Sequence, residues 1–179
     1  GLGDVYKRQE RYRDVVSARW PITVTPEPDE LLSSWLHRLA YANGVPGRAF
    51  ARVLGLTPGM WSARLDLKLS INLAEKLLNC ADITSEQLAA MTLAEGLPRQ
   101  LFLPLQNLHR RSGPTWLQFC PRCLATDKHP YFRREWRLAT RLTCEKHSTR
   151  LRDRCTACNQ PVAAFDQNEL RPHHHCLSL

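Results

Sequence analysis

The chain has 179 residues, with 25 Lys and Arg against 17 Asp and Glu, a formal net charge of +8 with histidines neutral. Hydrophobic residues make up 43%, enough for one domain or two small ones and too many for a chain disordered overall. Each apolar run is broken within a few residues by Arg, Asp or Lys, and no apolar signal segment stands near the start, so a cytoplasmic protein with no membrane partner is expected. The positive balance suits nucleic acid above other partners, or is simply a solvated cationic surface.

Residues 1–20 read as an N-terminal arm. Gly1–Gln9 resembles translated adapter sequence, an assembly scar, and the end from Cys176 to Leu179 is read as sharing that origin. Thr25–Pro28 is a stiff lead-in. Asp29 and Glu30 follow, acids suited to the first turn of a helix whose apolar stripe is Leu31, Leu32, Trp35, Leu36 and Leu39. Asn43-Gly44 ends it, and Pro46 opens a second helix with Ala49, Phe50, Val53 and Leu54 on its buried face. Gly55, Pro58 and Gly59 close that helix.

A third helix is predicted from about Asn72, with Glu75 in a capping-box-like position and Leu73, Leu77 and Leu78 as its lining. After a short turn at Ala81–Ile83, Thr84 and Gln87 cap a fourth helix carrying Leu88 and Met91. Cys80 is expected to be a small buried hydrophobe. Residues 21–113 therefore read as a helical domain of helix-turn-helix type, or a plain helical bundle, with its linker. That linker holds Pro98, Pro104, Pro114, Gly113 and the basic His109–Arg111.

Residues 114–179 carry six of the seven cysteines. Cys120 and Cys123 are two residues apart, and after a gap of twenty come Cys144 and His147, again two residues apart. Two-residue gaps let both donors of a tight turn face one point, and two such turns supply four corners for tetrahedral zinc. Cys155 and Cys158 begin a second site, with Cys176 as third ligand after a gap of seventeen. Leu179 stands where a fourth cysteine would fall, so one of His173, His174 or His175 fills the site or it is cut short. A swapped pairing, joining Cys144 and His147 to Cys155 and Cys158, would strand Cys120 and Cys123. A thioredoxin-type dithiol at Cys120 and Cys123 would need a βαβ frame that is not visible upstream. With four good ligands and no HExxH pattern, zinc is read as structural.

Between the pairs, Tyr131, Phe132 and Trp136 interleave with Arg133, Arg134, Arg137 and Arg141. The arginines are candidate phosphate contacts or a solvated rim, and the aromatics are expected to pack the small core. The fold class expected is mainly α with small zinc-ribbon β elements: a helix-turn-helix-like domain followed by tandem zinc fingers.

These residues resemble the TniQ/TnsD family of transposon target-selection proteins. Pro28–Ala40 is similar to its opening motif, and Phe119–Asp127, Tyr131–Trp136, Cys144–His147 and Leu151–Cys158 to its zinc-finger half. The resemblance implies a non-enzymatic adaptor linking a target site to an AAA+ transposition ATPase. Its implied partners are that ATPase, DNA and, for some members, a CRISPR effector complex. It also implies zinc at Cys120, Cys123, Cys144 and His147, with a second ion at Cys155, Cys158 and Cys176. The final cysteine expected after Cys176 is missing. The other functions the residues allow are a zinc-ribbon DNA-binding regulator unrelated to transposition, and a thiol oxidoreductase.

Overall fold

A computed structural model describes residues 19–55, 64–93, 98–103, 116–160 and 169–176. Most of the expected N-terminal arm, the Pro58-Gly59 stop and most of the 97–114 connection lie outside the described residues. Helix α1, Leu32–Ala42, buries Leu32, Trp35, Leu36 and Leu39 along the predicted stripe, each no more than 1% exposed. Asp29 and Glu30 do not occupy its first turn. Leu31 is the N-cap, Asp29 adopts φ 57°, and Glu30 turns inward with 1% exposure. The Asp29 carboxylate faces Arg134 and Glu135 N–H in the cysteine-bearing half, whereas the Glu30 carboxylate is held within the helical half by Ser34, Arg38 and the Glu27 N–H.

Asn43 caps the end of α1, and Gly44 at φ +68° turns the chain where only glycine is unstrained. Helix α2, Gly47–Val53, has Pro46 as its N-cap. Phe50 and Leu54 are buried, but Ala49 is half-buried and Val53 is 67% exposed, because the buried stripe runs through Gly47, Phe50, Ala51 and Leu54 and leaves them off it. Helix α3, Ile71–Cys80, starts at a Ser70 cap whose hydroxyl accepts the Leu73 N–H at 3.4 Å, slightly earlier than the expected Asn72 start. Leu73 and Leu77 are buried, but Leu78 is 36% exposed. Helix α4, Ser85–Ala90, has the predicted reciprocal box: Gln87 N–H donates to Thr84 Oγ1 at 3.2 Å and Thr84 N–H to Gln87 Oε1 at 2.9 Å.

In the cysteine-bearing half, α5 spans Pro121–Thr126 and a 3₁₀ turn spans Arg134–Arg137. Strands β1, Thr143–Cys144, and β2, Thr149–Arg150, pair antiparallel with Thr143 opposite Arg150. Tyr131, Phe132 and Trp136 are buried, as core residues should be. The chain is therefore mainly helical with one small two-stranded sheet.

Buried residues of the two halves form a single hydrophobic cluster running from Leu31 to Leu151. Polar groups join them as well. Leu31 N–H donates to Phe132 O at 2.9 Å, and Arg134 N–H to Asp29 O at 2.8 Å. The Ser34 hydroxyl donates to Glu30 Oε1 at 2.8 Å and accepts the Phe132 N–H at 3.0 Å. Deepest of all, Asp66 accepts from Ser33 N–H at 2.8 Å, Ser33 Oγ at 2.9 Å and Arg137 Nη1 at 3.2 Å, with both charged side chains 0% exposed. The Arg137 guanidinium lies over the Trp116 ring at 4.5 Å. Burial pushes the Asp66 carboxyl up, opposed by Arg137 and the Ser33 donors, and the same burial holds Arg137 below its ordinary range.

A buried pair broken from one side leaves an uncompensated charge. Asp66→Ala is expected to lose about 3–5 kcal/mol in equilibrium urea unfolding, and the double change Asp66→Leu with Arg137→Met to recover most of that loss. Glu30 gives a pH signature. Burial pushes its carboxyl from 4.5 up to about 6, against the pull of Arg38 at 2.6 Å. A raised acid favours the protonated native state, so its stabilisation is complete below about 4.5 and lost as pH rises through about 6. The stability of the protein relative to its Glu30→Gln variant should therefore fall by about 2 kcal/mol over that window, measured as paired unfolding curves.

Candidate metal centre

The first cysteine cluster is built from two turns. Cys120 is the N-cap of α5, with Pro121 pre-set for the first helical position, so Cys123 returns to the same face. The Cys123 N–H donates to the Cys120 sulfur. Cys144 enters from β1, and His147 follows in the β1–β2 connection, which closes by Ser148 N–H donating to Cys144 O at 2.8 Å. Ser148 sits at φ 50°.

The four donor atoms lie within 4.8 Å of one another. His147 Nδ1 stands 3.5 Å from Cys120 Sγ, 3.3 Å from Cys123 Sγ and 3.7 Å from Cys144 Sγ, and the Cys123 and Cys144 sulfurs are 3.6 Å apart. Zinc arms of about 2.3 Å to sulfur and about 2.0 Å to nitrogen make tetrahedral edges of about 3.8 Å between sulfurs and about 3.5 Å from sulfur to nitrogen. The donor set and its spacing therefore fit a tetrahedral ion. The swapped pairing is not the one the chain adopts.

The electrostatics fit too. Burial raises the Cys123 thiol to about 12, helped by its neighbours Cys144 and Cys120. Burial also raises Cys120, but hydrogen bonding from Thr149 at 3.4 Å, the Cys123 N–H and His147 outweighs it and brings the thiol down to about 6. Three thiols are thus gathered in one buried pocket. A divalent cation would compensate all three. Thr149 is the outer partner that orients Cys120.

The second cluster repeats the turn. Asn159 follows Cys158 at φ 56°, as Ser148 follows His147, and its N–H donates to Cys155 O at 2.8 Å. The sulfurs of Cys155, Cys158 and Cys176 gather within the same 4.8 Å, all three residues half-buried. Among the described residues no fourth donor joins them. His173 is turned away: it is 2% exposed, with Nε2 at 3.1 Å from Ser34 Oγ and its ring stacked on His37 at 5.4 Å. Ser34 already donates to Glu30, so the proton of this contact sits on His173 Nε2. Both clusters are fit to hold a metal ion, and none of the seven cysteines is in a disulfide. Cys80 is half-buried, with its thiol raised by that burial.

The four expected phosphate-contacting arginines all have acidic partners. Arg133 pairs with Asp127 at 2.8 Å and lies over the Tyr131 and Trp136 rings. Arg134 faces Asp29 at 3.8 Å, and Arg141 pairs with Glu135 at 3.0 Å and with Glu145. Arg137 is sealed inside by Asp66, so it does not reach a polyanion. The open cations lie further on. Arg150 and Arg152 are exposed either side of buried Leu151, have no ion pair among the described residues, and border a cleft of about 770 Å³. The signal for them was period two in Arg150-Leu151-Arg152, which the denser cluster upstream overshadowed.

Structural zinc contributes about 10–16 kcal/mol to small folds of this kind. Cys144→Ser is expected to release the first ion and unfold the cysteine-bearing half, read as lost amide protection in Phe119–Leu151. Metal analysis of the unaltered chain should find zinc. Native-like protection in chelator-treated material would count against this.

A family model described as TniQ matches residues 21–151, a span that takes in the four helices α1–α4 and the whole of the first cysteine cluster. No curated protein matches the chain. With the match running over most of its length, the chain belongs to the TniQ family, whose domain is associated with transposition.

Proposed function

We propose that this protein is a non-enzymatic adaptor in transposon target-site selection, joining target DNA or a targeting complex to an AAA+ ATPase of the transposition machinery. The observation that carries the reading is the closed first cluster inside a TniQ domain. Four protein donors would complete the shell of a zinc ion there, leaving no position for substrate or activated water, so the ion would stabilise and not catalyse. Zinc would be held by Cys120, Cys123, Cys144 and His147, and a second ion by Cys155, Cys158 and Cys176. The adaptor reading is supported by the +8 charge and by the hydrophobic core the two halves share.

DNA would meet the cysteine-bearing half through its outward arginines. Arg150 and Arg152 carry most of the contact, and the partly exposed Arg134 and Arg141 assist once their acidic partners are displaced. Arg133 stays a positioning residue against Asp127, Tyr131 and Trp136. The test is capture of the AAA+ ATPase on immobilised duplex DNA with and without this chain, at several salt concentrations. The chain should bridge the two. The double variant Arg150→Glu with Arg152→Glu should weaken duplex binding and flatten its log–log salt slope by about 2, the loss of two phosphate contacts. Duplex binding without ATPase capture would favour a DNA-binding regulator unrelated to transposition. An unaltered slope would remove Arg150 and Arg152 from the interface.

A further inference from the structure

A cleft of about 520 Å³ opens where the lead-in to α1, the residues after α5 and the C-terminal segment before Cys176 meet. Its walls are largely apolar, with Ile22, Val24, Tyr41, Pro130 and Pro172 among them. Ile22 and Tyr41 are 49% and 45% exposed, more than a residue with a packing role alone requires. The volume is within the range of ligand sites, about 300–1,000 Å³, and the site lies at a junction of structural units, where such sites concentrate.

One wall is an open backbone edge. Ile22 spends both main-chain groups on Asn43: its N–H donates to Asn43 Oδ1 at 3.0 Å and its C=O accepts from Asn43 Nδ2 at 2.9 Å. Two residues on, the Val24 C=O accepts the Trp35 Nε1–H at 2.7 Å. Along an extended run, alternate residues direct their N–H and C=O groups to opposite sides. Pro26 also holds Thr25 in the extended region. By that alternation Thr23 and Thr25 would direct theirs away from α1. Both residues line the cleft, both are exposed, and neither has a hydrogen bond among the described residues. Unmade backbone bonds on an extended edge are the template to which a further strand adds.

Charge selects the occupant. Glu27 in the wall is answered by Arg38 at 3.4 Å and His129 at 3.2 Å. Arg38 is further held by Glu30. Lys128, at the rim, is exposed and has no ion pair among the described residues, so its ammonium is available to a partner's carboxylate. We infer that this cleft docks a linear acidic peptide of a partner protein. The peptide adds as an extended strand to the Thr23–Thr25 edge, seats alternate apolar side chains against Ile22, Val24 and Tyr41, and meets Lys128 with a carboxylate.

The test is selection of a displayed library of short random peptides on the full zinc-loaded chain, against Ala42→Trp protein, whose added ring fills the cleft. Unchanged zinc content and circular dichroism establish that each variant is folded. Enriched peptides should alternate apolar residues and carry Asp or Glu. Thr23→Pro, which removes one main-chain donor, should weaken a selected peptide about tenfold, and N-methylation of the facing peptide amides should do the same. Lys128→Glu should weaken it about threefold to fivefold. No sequence enriched over the filled-cleft variant overturns the inference, as does a selected peptide indifferent to Thr23→Pro and Lys128→Glu. Displacement of the selected peptides by duplex DNA would also overturn it, by making the cleft a general anion site. So would a dimer in sedimentation that Ala42→Trp dissolves, by making the occupant a second copy of the chain.

Discussion

The ion pair between Asp66 and Arg137 sets the relation between the two halves of this molecule. Each charge is fully buried, and each is tolerable there only because the other is present. Asp66 lies between α2 and α3 and reaches back to the start of α1 through Ser33, while Arg137 belongs to the 3₁₀ turn that follows Phe132. One contact thus ties three chain segments together. Ser34, one residue after Ser33, does the same on the neighbouring side by bonding Glu30, Phe132 and His173 at once. Hydrophobic burial supplies most of the attraction between the halves, and these polar contacts determine their register, because a shifted arrangement would strand a charge.

Among its described residues the cysteine-bearing half has little sheet of its own, a single pair of two-residue strands. Its order rests on the core it shares with the helices and on the turns that gather its donors. Those turns have local causes: Pro121 opens α5 beside Cys120, and left-handed residues at Ser148 and Asn159 close the two later turns in the same way. A tetrahedral ion suits the first cluster because three thiols and an imidazole stand at the spacing its shell requires, and its charge would offset that of bound thiolates. A centre of this type makes shape. A closed shell of that kind would leave no open position on the ion, and the TniQ family to which the chain belongs is associated with transposition.

Burial also divides the arginines by task. A run dense in Arg reads as a phosphate-binding stripe when only sequence is considered. Folding uses Arg137 in the core and Arg133 against two aromatic rings, and it ties Arg134 and Arg141 to acids. The two cations flanking Leu151 are left in solvent because strand alternation puts the leucine inside and its neighbours outside. The cleft beside Thr23–Thr25 arises similarly, from a lead-in that meets its hydrogen-bonding needs on one side only.

The sequence alone determined what depends on neighbours in the chain. The α1 stripe, the Asn43-Gly44 stop, the Thr84–Gln87 box and the donors of the first cluster were all legible, because periodicity, capping and two-residue turns are local rules. Tertiary structure decided what depends on distant partners. Asp29 and Glu30 look like first-turn acids until Arg134 claims the one and Ser34 with Arg38 the other, and Val53 looks buried until the stripe of α2 settles on Phe50, Ala51 and Leu54. Asp66 and His173 give no local sign of their burial, since each is accommodated by groups far away in sequence, Arg137 and Ser34. A buried polar group is stable only with its partner in place, and that partner is supplied by the fold.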